Sequence, residues 1–225
     1  MESQNVFLYA IQNDWAVLIP IFICSILLVA AAVDRIIFYN RNKRDVVQFI
    51  HRLQREMNRG SLDNAQVISS QLGGVVGEVA EEGIRILSEQ KESFDRAFDI
   101  TASLARRKLE SRLSIIGTIA TVSPYLGLFA TVVRILLTFG ELAQSQSANA
   151  APQVMFGIGS ALIATALGLF VAISAVALNN WFQSTVNRYE DDFQLLKLLF
   201  LSFMDAQQGD VRASAGAGGG GYRTV

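Results

Sequence analysis

Two stretches of this chain carry residue types that can do chemistry inside an apolar environment. Between Leu113 and Thr138, the residues Gly117, Ala120, Pro124, Gly127, Thr131, Arg134 and Thr138 recur in steps of three and four, so they share one face of a helix. Ile115, Ile116, Val122, Leu128, Phe129, Val132 and Leu136 cover the rest of that helix. Further on, Gly157, Ser160, Ala161, Ala164, Thr165, Gly168, Ala172 and Ala175 form a second surface of small residues. Faces of this kind let helix backbones approach closely, which is the usual device of helix association in membranes. The plain reading of both is packing, with the threonine hydroxyls bonded to their own chain one turn back.

The elements that must position these faces follow from the placement of charge. Every Lys and Arg except Arg134 falls in Arg35 to Arg112 or in Arg188 to Arg223, and three apolar runs lie outside those stretches. Trp15 to Val33 is uncharged and long enough for one helix across a hydrocarbon core of roughly 30 Å at about 1.5 Å per residue. Leu113 to Val133 is a second such run, and Leu142 to Asn187 contains no charge at all. Basic residues stay on the cytoplasmic side, so the N-terminus is expected outside and the C-terminus inside. Met1 to Asp14 has no basic residue and contains Glu2 and Asp14, so no cleavable leader is expected and the first run stays as an anchor.

The expected fold class is an all-α membrane protein with three transmembrane helices, spans two and three extending into a long cytoplasmic helical bundle. Residues 1–14 form an extracytoplasmic segment, 15–38 the first transmembrane helix and 39–112 a cytoplasmic helical region. Residues 113–139 form the second span, 140–152 an extracytoplasmic loop, 153–180 the third span, 181–208 a cytoplasmic helix and 209–225 a disordered Gly-rich tail.

Within the first cytoplasmic region, Val46, Val47, Phe49, Ile50, Leu53 and Met57 recur at helical spacing, and Gly60 with Ser61 marks a stop and a restart. Gly73, Gly74 and Gly77 interrupt the next segment. Ile84, Leu87, Phe94, Phe98, Leu104 and Leu109 then give a weak apolar stripe among dense charges. With no Gly or Pro between Gly83 and the second apolar run, the reading is one continuous helix of about 80 Å from Ile84 to Thr138. Beyond the third span, Phe193, Leu195, Leu196, Leu198, Leu199 and Phe200 need a cover, either the helix before span two or a neighbouring subunit.

Net charge is −1, which supplies no field to recruit nucleic acid, whereas 51% hydrophobic residues call for membrane lipid. Cys24 has no disulfide partner and is lipid-facing or packing filler, and His51 reads as a plain surface residue. There is no G-x-x-x-x-G-K-[ST] loop, no Cys/His cluster and no nucleophile with a base beside it. No enzymatic activity, cofactor or metal site is expected.

A resemblance sharpens the reading of the two faces. Ser123 to Val132, SPYLGLFATV, resembles the "AP-x-x-GL-x-GTV" signature of the ExbB/TolQ/MotA proton-channel family, and Gly157 to Leu169, GIGSALIATALGL, is similar to its "GI-x-EALIATA-x-GL" stretch. Val33-Asp34-Arg35 resembles its acidic-Arg pair at the cytoplasmic edge. Three spans and the chain length resemble the ExbB/TolQ branch more than MotA.

The resemblance implies an inner-membrane, proton-motive-force-driven motor: a homopentamer around a central pore that holds a dimer of an ExbD/TolR-like single-span subunit. That subunit's Asp takes and releases protons, and the energy passes to a TonB/TolA-like envelope-spanning protein. Thr131 and Thr165, with Ser160 and Arg134, would then lie on the proton pathway, and Pro124, Gly127, Ala161 and Gly168 would pack the helices around the pore. A carboxylate in a membrane is costly unless it meets polar groups, and the two threonines supply them without fixed charge.

Three departures stand against the family pattern. Ser160 replaces the usual Glu, Ala130 replaces the Gly of "GTV", and Arg134 occupies a position commonly small. Losing that Glu removes the one acid of this subunit able to relay a proton. Arg134 would snorkel to headgroups or pair with Glu141, or else act as a gate or anion-pairing group at the pore mouth. Ser160 points about 140° away from Thr165 on an ideal helix at about 100° per residue, so the two cannot both look straight down one axis. The alternatives to a conducting channel are a non-conducting pentameric scaffold or a stator for gliding or flagellar-type motility.

Overall fold

A computed structural model describes residues 15–42, 45–89, 93–144 and 150–217, and all its regular elements there are helices. In chain order these are α1 (Trp15–Asn42), α2 (Val46–Asn58), α3 (Leu62–Leu72), α4 (Gly74–Glu89), α5 (Phe94–Glu110), α6 (Leu113–Gln144) and α7 (Ala150–Ala217). The expected N-terminal segment, the tip of the loop after span two and the last residues of the tail lie outside the described residues. Three helical stretches are long and apolar enough to cross a membrane, and they fall where α1, α6 and α7 carry the three apolar runs. The chain divides into two compact units, residues 1–37 with 112–183, and 38–111 with 184–225.

The first unit gathers the apolar parts of α1, α6 and α7. Its core holds Ile21, Leu28, Ile116, Ile119, Ala130, Ala161, Ala164 and Ala175, all buried. Large apolar side chains also point outward, among them Phe22, Ile26, Val29, Phe129, Leu136, Leu162, Phe170 and Ile173. So broad an exposed apolar surface is what lipid covers, and it would aggregate in water. At one end of the unit Asp34 accepts from two arginines, Arg112 at 2.6 Å and Arg35 at 3.2 Å.

The second unit is a set of short helices packed in sequence, α2 on α3, α3 on α4 and α4 on α5, together with residues 184–217 of α7. The Asp45 carboxylate caps α2 by accepting from the Gln48 amide at 3.2 Å. Phe49, Leu53 and Met57 are buried at i, i+4 and i+8, while Val47 is exposed. Gly60, Gly73 and Gly74 have φ of +73°, +61° and +65°, and they break the chain between helices. Gly77 behaves differently from the expectation. It lies inside α4, and a Cβ there would come 2.8 Å from the Ser69 carbonyl oxygen, so its smallness serves close packing on α3.

The apolar stripe after span three is covered from within the chain. Phe94, Phe98 and Phe200 form a ring cluster with centroids 5.6 to 5.9 Å apart, and Phe193 and Leu196 are buried nearby. Leu195 and Leu198 stay exposed, as do Ile100 and Leu104 on α5. Around this core Lys197 pairs with Asp95 and Asp99 at 2.8 and 2.7 Å, and Arg106 pairs with Glu110 and Glu190 at 2.8 and 2.6 Å. The bond to Glu110 and the charges of Glu190 and Glu110 hold the Arg106 guanidinium protonated more firmly than usual.

The single long helix expected from Ile84 to Thr138 is not formed. α4 ends at Glu89, and α5 ends at Glu110 with Arg112 in the left-handed region at φ +68°. No Gly or Pro marks that second break. At that end, carbonyls a helix end leaves open find partners: the Tyr39 hydroxyl donates to the Leu109 carbonyl at 3.0 Å, and the Ser111 hydroxyl to the Lys108 carbonyl at 3.1 Å. The flexible stretch expected from Gly209 also differs, because α7 continues to Ala217. Arg212, Ala213, Ala215 and Ala217 are good helix formers, and this stretch extends a helix already nucleated by tens of residues.

The ring cluster allows a direct test. A Cβ at Gly83 would stand 2.6 Å from a Phe200 ring carbon and 2.9 Å from one of Phe98. Gly83→Ala should therefore destabilise this unit by about 1–3 kcal/mol of overpacking, outweighing the roughly 1 kcal/mol that Ala gains in helix propensity. Thermal unfolding of the purified protein in detergent measures the net sign.

Candidate functional site

Close contact between α6 and α7 builds the polar site of the first unit. Gly127 and Gly168 are both buried at this crossing. A Cβ at Gly168 would lie 2.8 Å from the Ser123 carbonyl oxygen and 2.9 Å from the Gly127 Cα, and one at Gly127 would lie 3.2 Å from the Thr165 Cα. Nothing larger than hydrogen fits at Gly168 without a shift, and Gly127 leaves a Cβ only tight room. Pro124 is half-buried one turn away, and Ala161 is fully buried on the facing side.

That proximity brings the two threonines together. The Thr131 and Thr165 hydroxyls form a hydrogen bond with each other across the helices. Both also reach the Gly127 carbonyl, at 3.0 and 3.1 Å, and Thr131 reaches the Ala161 carbonyl at 3.3 Å. Each hydroxyl has a single proton, so one threonine donates to the other, which in turn donates to a carbonyl. Reversing the order exchanges donor and acceptor without creating a charge. A pair of this kind can offer a hydrogen to an anion or accept one from a neutral acid. Both residues are half-buried, so they sit at the edge of the contact.

The second layer of the site is charged. Arg134 is 3% exposed; its Nε donates to the Ser160 hydroxyl at 3.1 Å and its guanidinium pairs with Glu141 at 3.2 Å. The Ser160 hydroxyl in turn donates to the Gly157 carbonyl at 3.0 Å. Thr138 is buried and donates to the Arg134 carbonyl at 2.9 Å. Any Cβ at Gly157 would run into the Thr138 side chain. Gly127, Thr131, Arg134 and Thr138 fall within about 60° of arc at about 100° per residue, one stripe facing α7. Of the roles open to Arg134, pairing with Glu141 is the one its geometry displays. Ser160 meets α6 despite pointing away from Thr165, because the long Arg134 side chain reaches across to it.

Residues 72–195 match the model of the MotA/TolQ/ExbB proton channel family, which is more than half of the chain. The chain belongs to that family. Among curated relatives it is 42% identical over 98 residues to the Tol-Pal system protein TolQ of Haemophilus influenzae, covering 44% of this chain and 42% of the relative. It is 42% identical over 112 residues to TolQ of Pseudomonas aeruginosa, covering 47% and 48%. To the biopolymer transport protein ExbB of Pseudomonas putida it is 38% identical over 111 residues, covering 48% and 33%. The aligned stretch thus spans less than half the length of each of these relatives.

Family membership accounts for the two motifs, and the geometry shows how their small residues and hydroxyls meet. Two participants carry weak signals in the spacing. Thr138 and Gly157 look like ordinary stripe members until their mutual contact is seen. Ser123, standing where the family signature has Ala, is fully buried and its hydroxyl bonds to no described group. Nothing in the structure explains what that hydroxyl adds.

The glycine contact is testable apart from any function. Because backbone atoms oppose it, Gly168→Ala must push α6 and α7 apart and loosen the Thr131–Thr165 bond. The expected loss is about 1–3 kcal/mol of overpacking. It should appear as a lower unfolding temperature in detergent and as faster hydrogen exchange around residues 127–131. An unchanged unfolding temperature would show that the contact is slack.

Proposed function

We propose that this chain is the inner-membrane, multi-pass subunit of a proton-motive-force-driven energy-transducing motor of the ExbB/TolQ type. In this reading it assembles as a homopentamer with the N-terminus outside and the C-terminus in the cytoplasm, and the second unit forms its cytoplasmic helical bundle. An ExbD/TolR-like single-span subunit carries a membrane carboxylate past the site, and a TonB/TolA-like protein receives the work that serves envelope transport or integrity. The observation that carries the reading is the threonine pair: two uncharged hydroxyls, bonded to each other yet half-open, at the crossing of the two helices that bear the family motifs.

The mechanism follows from what a carboxylic acid needs inside a membrane. An ionised carboxylate beside Thr131 and Thr165 receives a hydrogen bond, and a protonated one donates to the same oxygens after the pair reverses. Neither state is trapped. Ser160 and Arg134 would extend this pathway, while Gly127, Ala161, Gly168 and Pro124 keep the helices close enough for the hydroxyls to meet. A second reading, a non-conducting scaffold of the same architecture, is favoured by one observation: the hydroxyls and Arg134 all find partners inside a single chain.

Substituting the hydroxyls separates the two readings. Thr131→Val with Thr165→Val keeps side-chain volume, and the Gly127 carbonyl retains its helical amide donor. Stability should fall by only about 1 kcal/mol per lost bond, and the oligomer should survive. Proton-dependent activity in cells should drop severely. Wild-type activity with normal assembly would leave packing as the whole role of these faces.

Assembly is tested separately. Ile100, Leu104, Leu195 and Leu198 are exposed on the helices of the second unit. Contact between subunits would cover them. Native mass spectrometry from mild detergent should show a pentamer of the 24.6 kDa chain, and cysteine labelling should place Gly60 on the cytoplasmic side. A stable monomer would sink the assembly.

A further inference from the structure

The buried arginine asks for a role, because a permanent cation within a membrane helix pair is costly to place and needs a dedicated surround. Arg134 has one. Ser160 fixes its Nε and is itself fixed on the Gly157 carbonyl; Thr138 closes on the Arg134 backbone, and Gly157 leaves Thr138 the space it occupies. Glu141, the acid paired with it, is close to half exposed, so the negative end of the pair faces outward and the positive end lies inside. Along α6 the Cα of Arg134 is about 4.5 Å from that of Thr131, at about 1.5 Å per residue. Guanidinium does not lose its proton in proteins, so the charge is constant.

We infer that Arg134 is a cation barrier on the pathway past the threonines, one that turns back hydronium and metal cations and lets a proton pass only as part of a neutral carboxylic acid. The inference rests on the proposed function and adds a selectivity to it. A free hydronium near Thr131 meets a like charge in a medium too poor in water to screen it, as arginines and helix dipoles exclude protons from other membrane pores. A neutral acid meets no such repulsion. Where the carrier reaches water its O–H bond breaks heterolytically: the electron pair stays on the carboxylate and the proton goes to a water molecule as hydronium. The reverse step takes the proton back from hydronium and re-forms the neutral acid, the one form that passes the arginine. Without a carboxylate to carry the proton, the subunit is closed.

The full-length chain, purified alone and reconstituted in liposomes of neutral lipid, gives the test. A potassium diffusion potential set by valinomycin drives protons, and an enclosed pH dye reads their entry. Wild type should be tight. Arg134→Gln should raise the proton leak about tenfold, the effect of removing one unit charge roughly 10 Å away at an effective dielectric near 20. Arg134→Lys, which keeps the charge and loses the Ser160 geometry, should stay tight, and so should Glu141→Gln, which keeps the cation. A leak in the Lys variant equal to that of the Gln variant would make the effect one of packing and overturn the barrier. So would an Arg134→Gln protein as tight as wild type. The proposed function is judged apart, on the threonine variants in the assembled system. Should Arg134→Gln leak while Thr131→Val with Thr165→Val in the same background leaves that leak untouched, the barrier stands and the threonine pathway falls.

Discussion

The polar site depends on how near two backbones can come. At Gly168 an added carbon would come 2.8–2.9 Å from main-chain atoms of α6, so α6 and α7 would have to shift, and at Gly127 it would be tight against the main chain of α7 at 3.2 Å. Within a bilayer no hydrophobic force drives helices together, so such contact, with the dispersion and hydrogen bonds it permits, is the association energy. The hydroxyl pair is its consequence. Thr131 and Thr165 carry short side chains, and a modest retreat of either helix would leave each to bond only its own chain. In that arrangement the hydroxyls would be structurally satisfied and unable to act together.

The second consequence concerns Arg134. A cation in this position would be ruinous on a lipid face, and it is tolerated because the stripe facing α7 is lined with groups that accept from it or hold its backbone. Ser160 and Arg134, the two positions that depart from the family signature, meet in one hydrogen bond. With an acid at 160, the guanidinium would close a buried ion pair, and breaking such a pair costs several kcal/mol once one partner is lost. Serine accepts a hydrogen bond without adding a second carboxylate, so Glu141 is the acid that the guanidinium pairs with here.

Much of this was legible in the residues, for reasons tied to particular positions. Charge placement marks the apolar runs of α1, α6 and α7, and period-three-and-four spacing marks the face that α6 turns to α7. What was not legible comes from contacts distant in sequence. α5 stops where Tyr39 donates to a carbonyl seventy residues away, in a stretch with no Gly or Pro to announce it. Gly77 looks like a breaker and is a contact point, since nothing local distinguishes the two uses of a missing Cβ. The helix beyond Gly209 was hidden by composition, because propagation from an existing helix is far easier than the nucleation that a short Ala-Gly segment would need alone. Ser160 illustrates the same limit: its ideal bearing on the helix is correct, and the reach of an arginine defeats the conclusion drawn from it.

Exposure separates the parts of the site in a way that matters for the proposed cycle. Arg134, Ser160 and Thr138 are 3 to 4% exposed, whereas both threonines are half-open. An acid moving along this surface would touch neutral hydroxyls and feel the cation without direct access to it. Contact with an exposed guanidinium would hold the carboxylate in a bidentate pair, too stable to release on each step. A site with hydroxyls alone would bind it with little preference for either protonation state. Hydroxyls at the edge with a sheathed charge behind them give weak contact and a strong local bias together, which is the combination that a repeatedly protonated and deprotonated carrier requires.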